Sequence, residues 1–184
     1  MLLFRPSKES PYITMNESNF WEILRSVKIS EQNANETLRA LLSNLSHNEI
    51  KEFDTIYTEK LKLLWHWDNW AVAFIICGCN TEYDFLDFCN WCLLQGEEYN
   101  NRLSNKPDEL YDYNFPLKDN LPYPYVDEFD LVPGLLYEEL TGQELPYHQV
   151  VNFQPKGKRF KNKPKSLKEN YPNLFNKFWK KINL

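Results

Sequence analysis

Glycine is scarce in this chain, five residues in 184, and no glycine-rich phosphate loop, GxSxG elbow or dinucleotide fingerprint is present. That argues against the familiar nucleotide-binding and hydrolase architectures. Histidine is rarer still: His47, His66 and His148 have neither HExxH spacing nor that of another recognised ligand set. The longest apolar run, Ala71 to Cys77, has seven residues, against the roughly 20 that a membrane-crossing helix needs. The first residues, MLLFRPSKESPYIT, lack the basic leader and apolar segment of an export signal, so the expected compartment is the cytoplasm. Cysteine is limited to four residues, two of them inside apolar runs, which fits reduced buried thiols better than a disulfide framework. A chain of this length can bury a core without metal or disulfide staples, and no cofactor is expected.

What the chain has in quantity is aromatic surface, 16% of residues, beside 26% charged residues. Four of the six tryptophans and all four cysteines fall within WHWDNWAVAFIICGCNTEYDFLDFCNWCLLQG, residues 65–96. This stretch is expected to be the core. The net charge of −5 conceals a division: residues 1–150 carry 11 basic and 25 acidic side chains, residues 151–184 carry 10 basic and one acidic. So acidic a body repels phosphate backbones at long range, whereas the tail can approach nucleic acid, an anionic membrane or the body itself. The tail lysines are scattered among prolines and asparagines rather than arrayed on one helix face. Nucleic acid is therefore disfavoured except through the tail, which is expected to pack on the body or stay solvated.

Capping signals organise the rest. Residues 1–14 read as a poorly ordered leader. Asn16 or Ser18 opens a helix through Val27, and Asn33 or Asn35 opens another with Leu38, Leu41, Leu42 and Leu45 on one face. Ser46 with Glu49 forms a capping box for a long central helix through Trp67, burying Ile50, Phe53, Ile56 or Tyr57, Leu61 and Leu64. Asp68 or Asn69 punctuates the run before WAVAFIIC, and Gly78 suits the left-handed residue that ends it. Thr81 with Asp84 starts a helix placing Phe85, Phe88, Cys89, Cys92 and Leu93 on one face. Spaced prolines forbid a long helix over 105–133, which reads as an ordered Pro/Tyr-rich loop packed on the body. A helix LLYEELTG, an extended piece at HQVVNF and a short helix from Pro172 complete a mainly α, bundle-like domain. The expected division is a leader at 1–14, an acidic helical domain at 15–150 and a basic extension at 151–184.

These residues are open to two chemical readings. Cys77, Cys79, Cys89 and Cys92 offer four thiolates, but Cys89 and Cys92 fall in a helical pattern instead of on the tight turns that make zinc ligands converge, so no metal is expected. His66 with Asp68, joined by Asp84 or Asp87, offers an acid–base set, yet Asp68 between two tryptophans suits a cap or a hydrogen-bond acceptor better. Trp65 and Trp67 lie about 200° apart on a helix of 3.6 residues per turn. At least one of Trp65, Trp67, Trp70 and Trp91 can thus reach a groove. Rimmed by Asp84, Glu97 and Glu98, such a groove suits a basic peptide or protein partner.

The segments FWEIL, LSHNEIKEFDTIY, WDNWAVAFIICG, DFLDFCNWCLLQG, PDEL at 107–110, YEELTGQELP and YPNLFNKFW together resemble the DUF4240 family of bacterial proteins of unknown function, over roughly residues 15–180. The most specific parts are Trp67-Asp68-x-Trp70, the aromatic helix ending in Gln95-Gly96, and Tyr171-Pro172-x-Leu174. The chain departs from the family pattern at Cys77-Gly78-Cys79-Asn80 and at Cys89-Asn90, where members often carry arginine. The resemblance brings no reaction or cofactor. It implies an accessory or immunity-like role, which makes binding a protein partner the leading expectation. A small hydrolase or nucleic-acid-processing accessory using His66 and Asp68 is the alternative, and a self-assembling module pairing basic tail with acidic body is a third.

Overall fold

The computed structural model describes residues 15–27, 33–146 and 149–182. The expected leader at 1–14 lies outside them, as does His148. Among the described residues nine α-helices form a mainly helical, compact domain: α1 (Glu17–Ser26), α2 (Ala34–Leu42), α3 (His47–Leu64), α4 (Trp67–Cys77), α5 (Glu82–Leu94), α6 (Glu97–Asn105), α7 (Val132–Thr141), α8 (Pro164–Asn170) and α9 (Pro172–Ile182).

The capping logic largely holds. Asn16 caps α1 by accepting the Asn19 amide, and α2 begins after Asn33. Ser46 and Glu49 close a reciprocal capping box on α3, and Thr81 and Asp84 do the same on α5 with the shorter acid. Gly78 takes φ 71° and ends α4.

Three local expectations fail. The central helix stops at Leu64, because the backbone at Trp65 and His66 leaves the helix to pair with Lys156. The α4 cap is therefore His66, whose Nδ1 accepts the Asp68 amide at 3.2 Å, and Asp68 and Asn69 both lie inside the helix. The piece around HQVVNF contains a 3-10 turn at Val150–Asn152 in place of a strand, and α8 was not foreseen.

Helices α4 and α5 bury most of their residues and occupy the centre, with charged side chains only at Asp68 on α4 and at Glu82, Asp84 and Asp87 on α5. Helix α3 lies against α5 and α7, and α9 lies along α4, burying Tyr171, Leu174 and Phe178. Between α6 and α7 the chain makes a 3-10 turn at Pro107–Asp112 and a minimal hairpin, β1 (Leu117–Lys118) and β2 (Leu121–Pro122). Asp119 and Asn120 join these strands with φ of 53° and 64°, the twin left-handed residues of a tight primed hairpin turn. The following segment is tied down by the Tyr125 hydroxyl on the Cys77 carbonyl at 3.3 Å and by the Val126 amide on the Asp87 carbonyl at 3.2 Å.

Candidate functional site

Three of the four tryptophans of the central stretch, Trp65, Trp67 and Trp70, are organised with Phe85 as a stack, and Trp91 packs separately among Phe88, Tyr99, Tyr113 and Phe115. Rings run Trp65, Phe85, Trp70, Trp67 with centroid separations of 4.8, 5.0 and 5.0 Å, the last two pairs nearly parallel. Trp65 and Trp70 are buried, and their indole N–H groups donate to the Phe153 and Cys79 carbonyls at 2.8 and 3.2 Å. Trp67 ends the stack at the half-buried edge, with the Arg159 guanidinium 5.1 Å from its ring centre. The cavity it lines, about 360 Å³, contains Glu82 but not Asp84, Glu97 or Glu98. The expected acidic rim is thus not at this groove: Asp84 is spent on capping, and the two glutamates open α6.

His66 and Asp68 do come together, with the carboxylate 3.5 Å from Nδ1. That nitrogen is already accepting the Asp68 amide proton, so both groups present acceptors to each other, and the cap rather than a proton relay explains the geometry. Asp68 also accepts the Tyr171 hydroxyl at 3.4 Å, linking α4 to the turn before α9. Asp68 is thus a hydrogen-bond acceptor, with a tyrosine hydroxyl as the donor. The side chains of His66 and Asp68 are 34% and 61% exposed and share no lined cavity.

All four cysteines are free. Burial pushes the Cys77 thiol up to about 12 and also raises the Cys79, Cys89 and Cys92 thiols well above the usual thiol range. Among the described residues no three His, Cys, Asp or Glu side chains converge as a metal-ligand set. Gln95 and Gly96 are structural in setting: Gln95 donates to the Trp91 carbonyl at 3.1 Å and accepts the Tyr113 hydroxyl at 2.7 Å, and Gly96 takes φ 88° between α5 and α6.

A cavity of about 530 Å³ opens between the start of α2, Trp91 on α5 and the 116–127 segment. Its walls are aromatic and aliphatic, from Trp91, Pro116, Tyr123, Tyr125 and Val126, and its polar rim is Asn33, Asn35, Glu36 and Asp127. Trp91 is only 2% exposed, yet its indole N–H has no hydrogen-bond partner, and neither has the buried Asn35 carbonyl oxygen. An orphaned buried donor costs about 1–3 kcal/mol. Both atoms, one donor and one acceptor, lie beneath the cavity wall out of reach of solvent.

Carboxylates gather beside this cavity. Burial, then a hydrogen bond and like charge from Asp127, push the Asp87 carboxyl up to about 8, with Asp130 and Asp84 adding to the repulsion. Asp130 is also raised by burial, against the Asn90 hydrogen bond that lowers it. Buried Asn90 organises the node, accepting the Tyr57 hydroxyl at 2.8 Å and donating to Asp130 at 3.0 Å and to the Val126 carbonyl at 3.2 Å. Among the described residues none of the ion pairs involves Asp87, Asp127 or Asp130. A second cavity of about 240 Å³ lies on the other side of Asp130, with Asp130, Glu138 and Glu144 around Leu131, Leu135 and Val150. Sequence reasoning named Trp91 and weighed Asp87, but missed Asn35, Tyr123, Tyr125 and Asp127. The available signal was the run PYPYVDEFD, whose composition is that of a binding loop without indicating which side chains converge.

The family model for a protein of unknown function, DUF4240, matches residues 15–139, and the chain belongs to that family. The match ends within α7, so GQELP and YPNLFNKFW, cited in the resemblance, lie beyond it. No curated protein and no solved structure matches the chain. No helix among the described residues is long and apolar enough to cross a membrane.

Proposed function

We propose that this chain is a binding protein that receives a basic segment of a protein partner in the cavity between α2, α5 and residues 116–127. The observation that carries this reading is the carboxyl node of Asp87, Asp127 and Asp130 standing without a cation beside an aromatic-walled cavity. Like charges held together by the fold are relieved by an incoming ammonium or guanidinium. Tyr123 and Tyr125, ring centres 4.9 Å apart, offer π-faces to the same cation, and Lys118 already sits 4.6 Å from the Tyr123 ring centre. Four free thiols suit a reducing, cytoplasmic setting.

The test is calorimetric titration with a twelve-residue Lys/Arg peptide and its Glu counterpart. The basic peptide is expected to bind, more tightly as pH rises through 8 and Asp87 ionises, and more weakly as salt rises. A double variant E36Q/D127N, at exposed positions that leave the core untouched, is expected to lose at least about tenfold in affinity, the loss of a little over 1.4 kcal/mol. Equal binding of both peptides, or full affinity in the double variant, would overturn the reading.

A further inference from the structure

A second face of the molecule has the opposite charge. Residues 156–165 run along the surface past α4, carrying Lys156, Lys158, Arg159, Lys161, Lys163 and Lys165, all exposed. This strip is fixed at its start by two backbone hydrogen bonds, Trp67 amide to Lys156 carbonyl at 2.9 Å and Lys156 amide to Trp65 carbonyl at 3.0 Å. It is fixed in its middle by Phe160, whose ring lies 6.2 Å from Trp67 and 5.7 Å from Phe74. Its attachment is apolar and backbone-mediated. Among the described residues, none of its six cations forms an ion pair with the acidic body.

We infer that this strip, with the outermost ring of the tryptophan stack, forms a binding surface for single-stranded nucleic acid. Three features converge on that ligand. The cations flank a cavity of about 360 Å³ on one side of the strip and another of about 320 Å³ on the other. Trp67 presents an indole held flat by Trp70 behind it, a platform on which a base stacks irrespective of its identity. Amide side chains of Asn80, Asn152 and Asn162 line the same cavity and can pair with base edges. Arg159 covers the indole in the free protein; a stacking base takes its place, and the guanidinium turns to the neighbouring phosphate.

The rest of the surface decides between ligands. A membrane offers nothing for the amides, and an acidic peptide needs no π-platform. A rigid duplex brings dense charge against a body whose first 150 residues hold 25 acidic side chains to 11 basic, whereas a flexible single strand can follow the strip alone. The inference is independent of the peptide cavity, which lies at α2 and the 116–127 segment.

Fluorescence anisotropy with labelled twelve-nucleotide oligo-U and oligo-dT at 50 mM salt tests it, with a duplex of equal length and polyglutamate as comparators. Single strands are expected to bind and to quench the tryptophan emission. The log–log salt slope is expected near −3, about −0.7 for each of some four phosphates neutralised. The exposed double variant K158E/K161E should lose at least about tenfold, and W67F, which keeps a ring in the stack, should bind more weakly with most of the quenching gone. Absence of binding by single strands would overturn the inference. So would equal or tighter binding of duplex or polyglutamate with W67F unchanged, which would leave only ion exchange. A salt-sensitive dimer, abolished by K158E/K161E and indifferent to oligonucleotides, would instead assign the strip to a second copy of the chain and overturn the inference as well.

Discussion

Asp87 is the residue at which burial and like charge contend most openly. Its carboxyl titrates near 8 in the fold against an ordinary 3.8, so between those values the folded protein holds a proton that the unfolded chain has released. Folded stability is therefore fullest below about pH 4 as far as this group is concerned, and declines as pH rises through 8. Asp87→Asn removes the charge and keeps the size. It is expected to raise the melting temperature at pH 8.5, to do little at pH 4.5, and to flatten the pH profile between; an unchanged profile by scanning calorimetry would count against this assignment. Gly157 is the second sensitive residue. Its φ of 83° is unfavourable for any side chain, and a Cβ would run into the His66 imidazole. Gly157→Ala is expected to cost about 1–3 kcal/mol in denaturant unfolding. In a double-mutant cycle with His66→Ala, part of that cost should vanish, because the steric share disappears and the backbone share remains.

At the scale of elements, α3 and α5 are defined by their starts and α4 by its contacts. Ser46→Ala removes the hydroxyl that accepts the Glu49 amide, leaving only the backbone half of the α3 capping box, and is expected to lower stability by about 1 kcal/mol. Helix α4 has a weaker cap and depends on what encloses it, α5 on one side and α9 on another. Leu174→Ala, at a fully buried position of α9, is expected to cost about 2–5 kcal/mol by leaving a cavity. Thiol chemistry reads the same packing. Because burial raises the thiols of Cys79, Cys89 and Cys92 so far, a disulfide reagent at pH 8 should modify none of these three in the folded protein, and all four cysteines in denaturant. Reaction of Cys89 or Cys92 at the rate of a free thiol would show that α5 opens.

The whole molecule has two faces of opposite charge. The acidic one comes from α2, α5 and the loop before α7, and the basic one from the strip before α8. They attach to the core differently: the carboxylates sit partly inside it around Asn90, while the lysines ride outside on Phe160 and Pro155. Burial is what shifts carboxyl titration and leaves the exposed cations to the solvent. Raising salt should consequently weaken both proposed interactions while changing stability little, since exposed charge is screened and the apolar core is not.

The sequence by itself determined the helices whose signals are local. Capping boxes at Ser46 and Thr81, the left-handed Gly78, and the three-to-four spacing of Ile50, Phe53, Tyr57, Leu61 and Leu64 all act within a few residues, and a backbone turn reads them directly. It also marked residues 65–96 as core, since so many large apolar side chains have nowhere else to go. Tertiary structure alone decided where polar groups meet: the Tyr57 hydroxyl on Asn90, 33 residues away, the Asn35 amide on the Asp127 carbonyl, 92 residues away, and Asp87 against Asp127. It also ended the central helix at Leu64, because the Trp65 carbonyl and the Trp67 amide found partners in Lys156. Such meetings depend on how helices pack and on which loop covers them. No periodicity within one segment encodes them, so the cavities, the orphaned Trp91 N–H and the carboxyl node emerge only once the chain is folded.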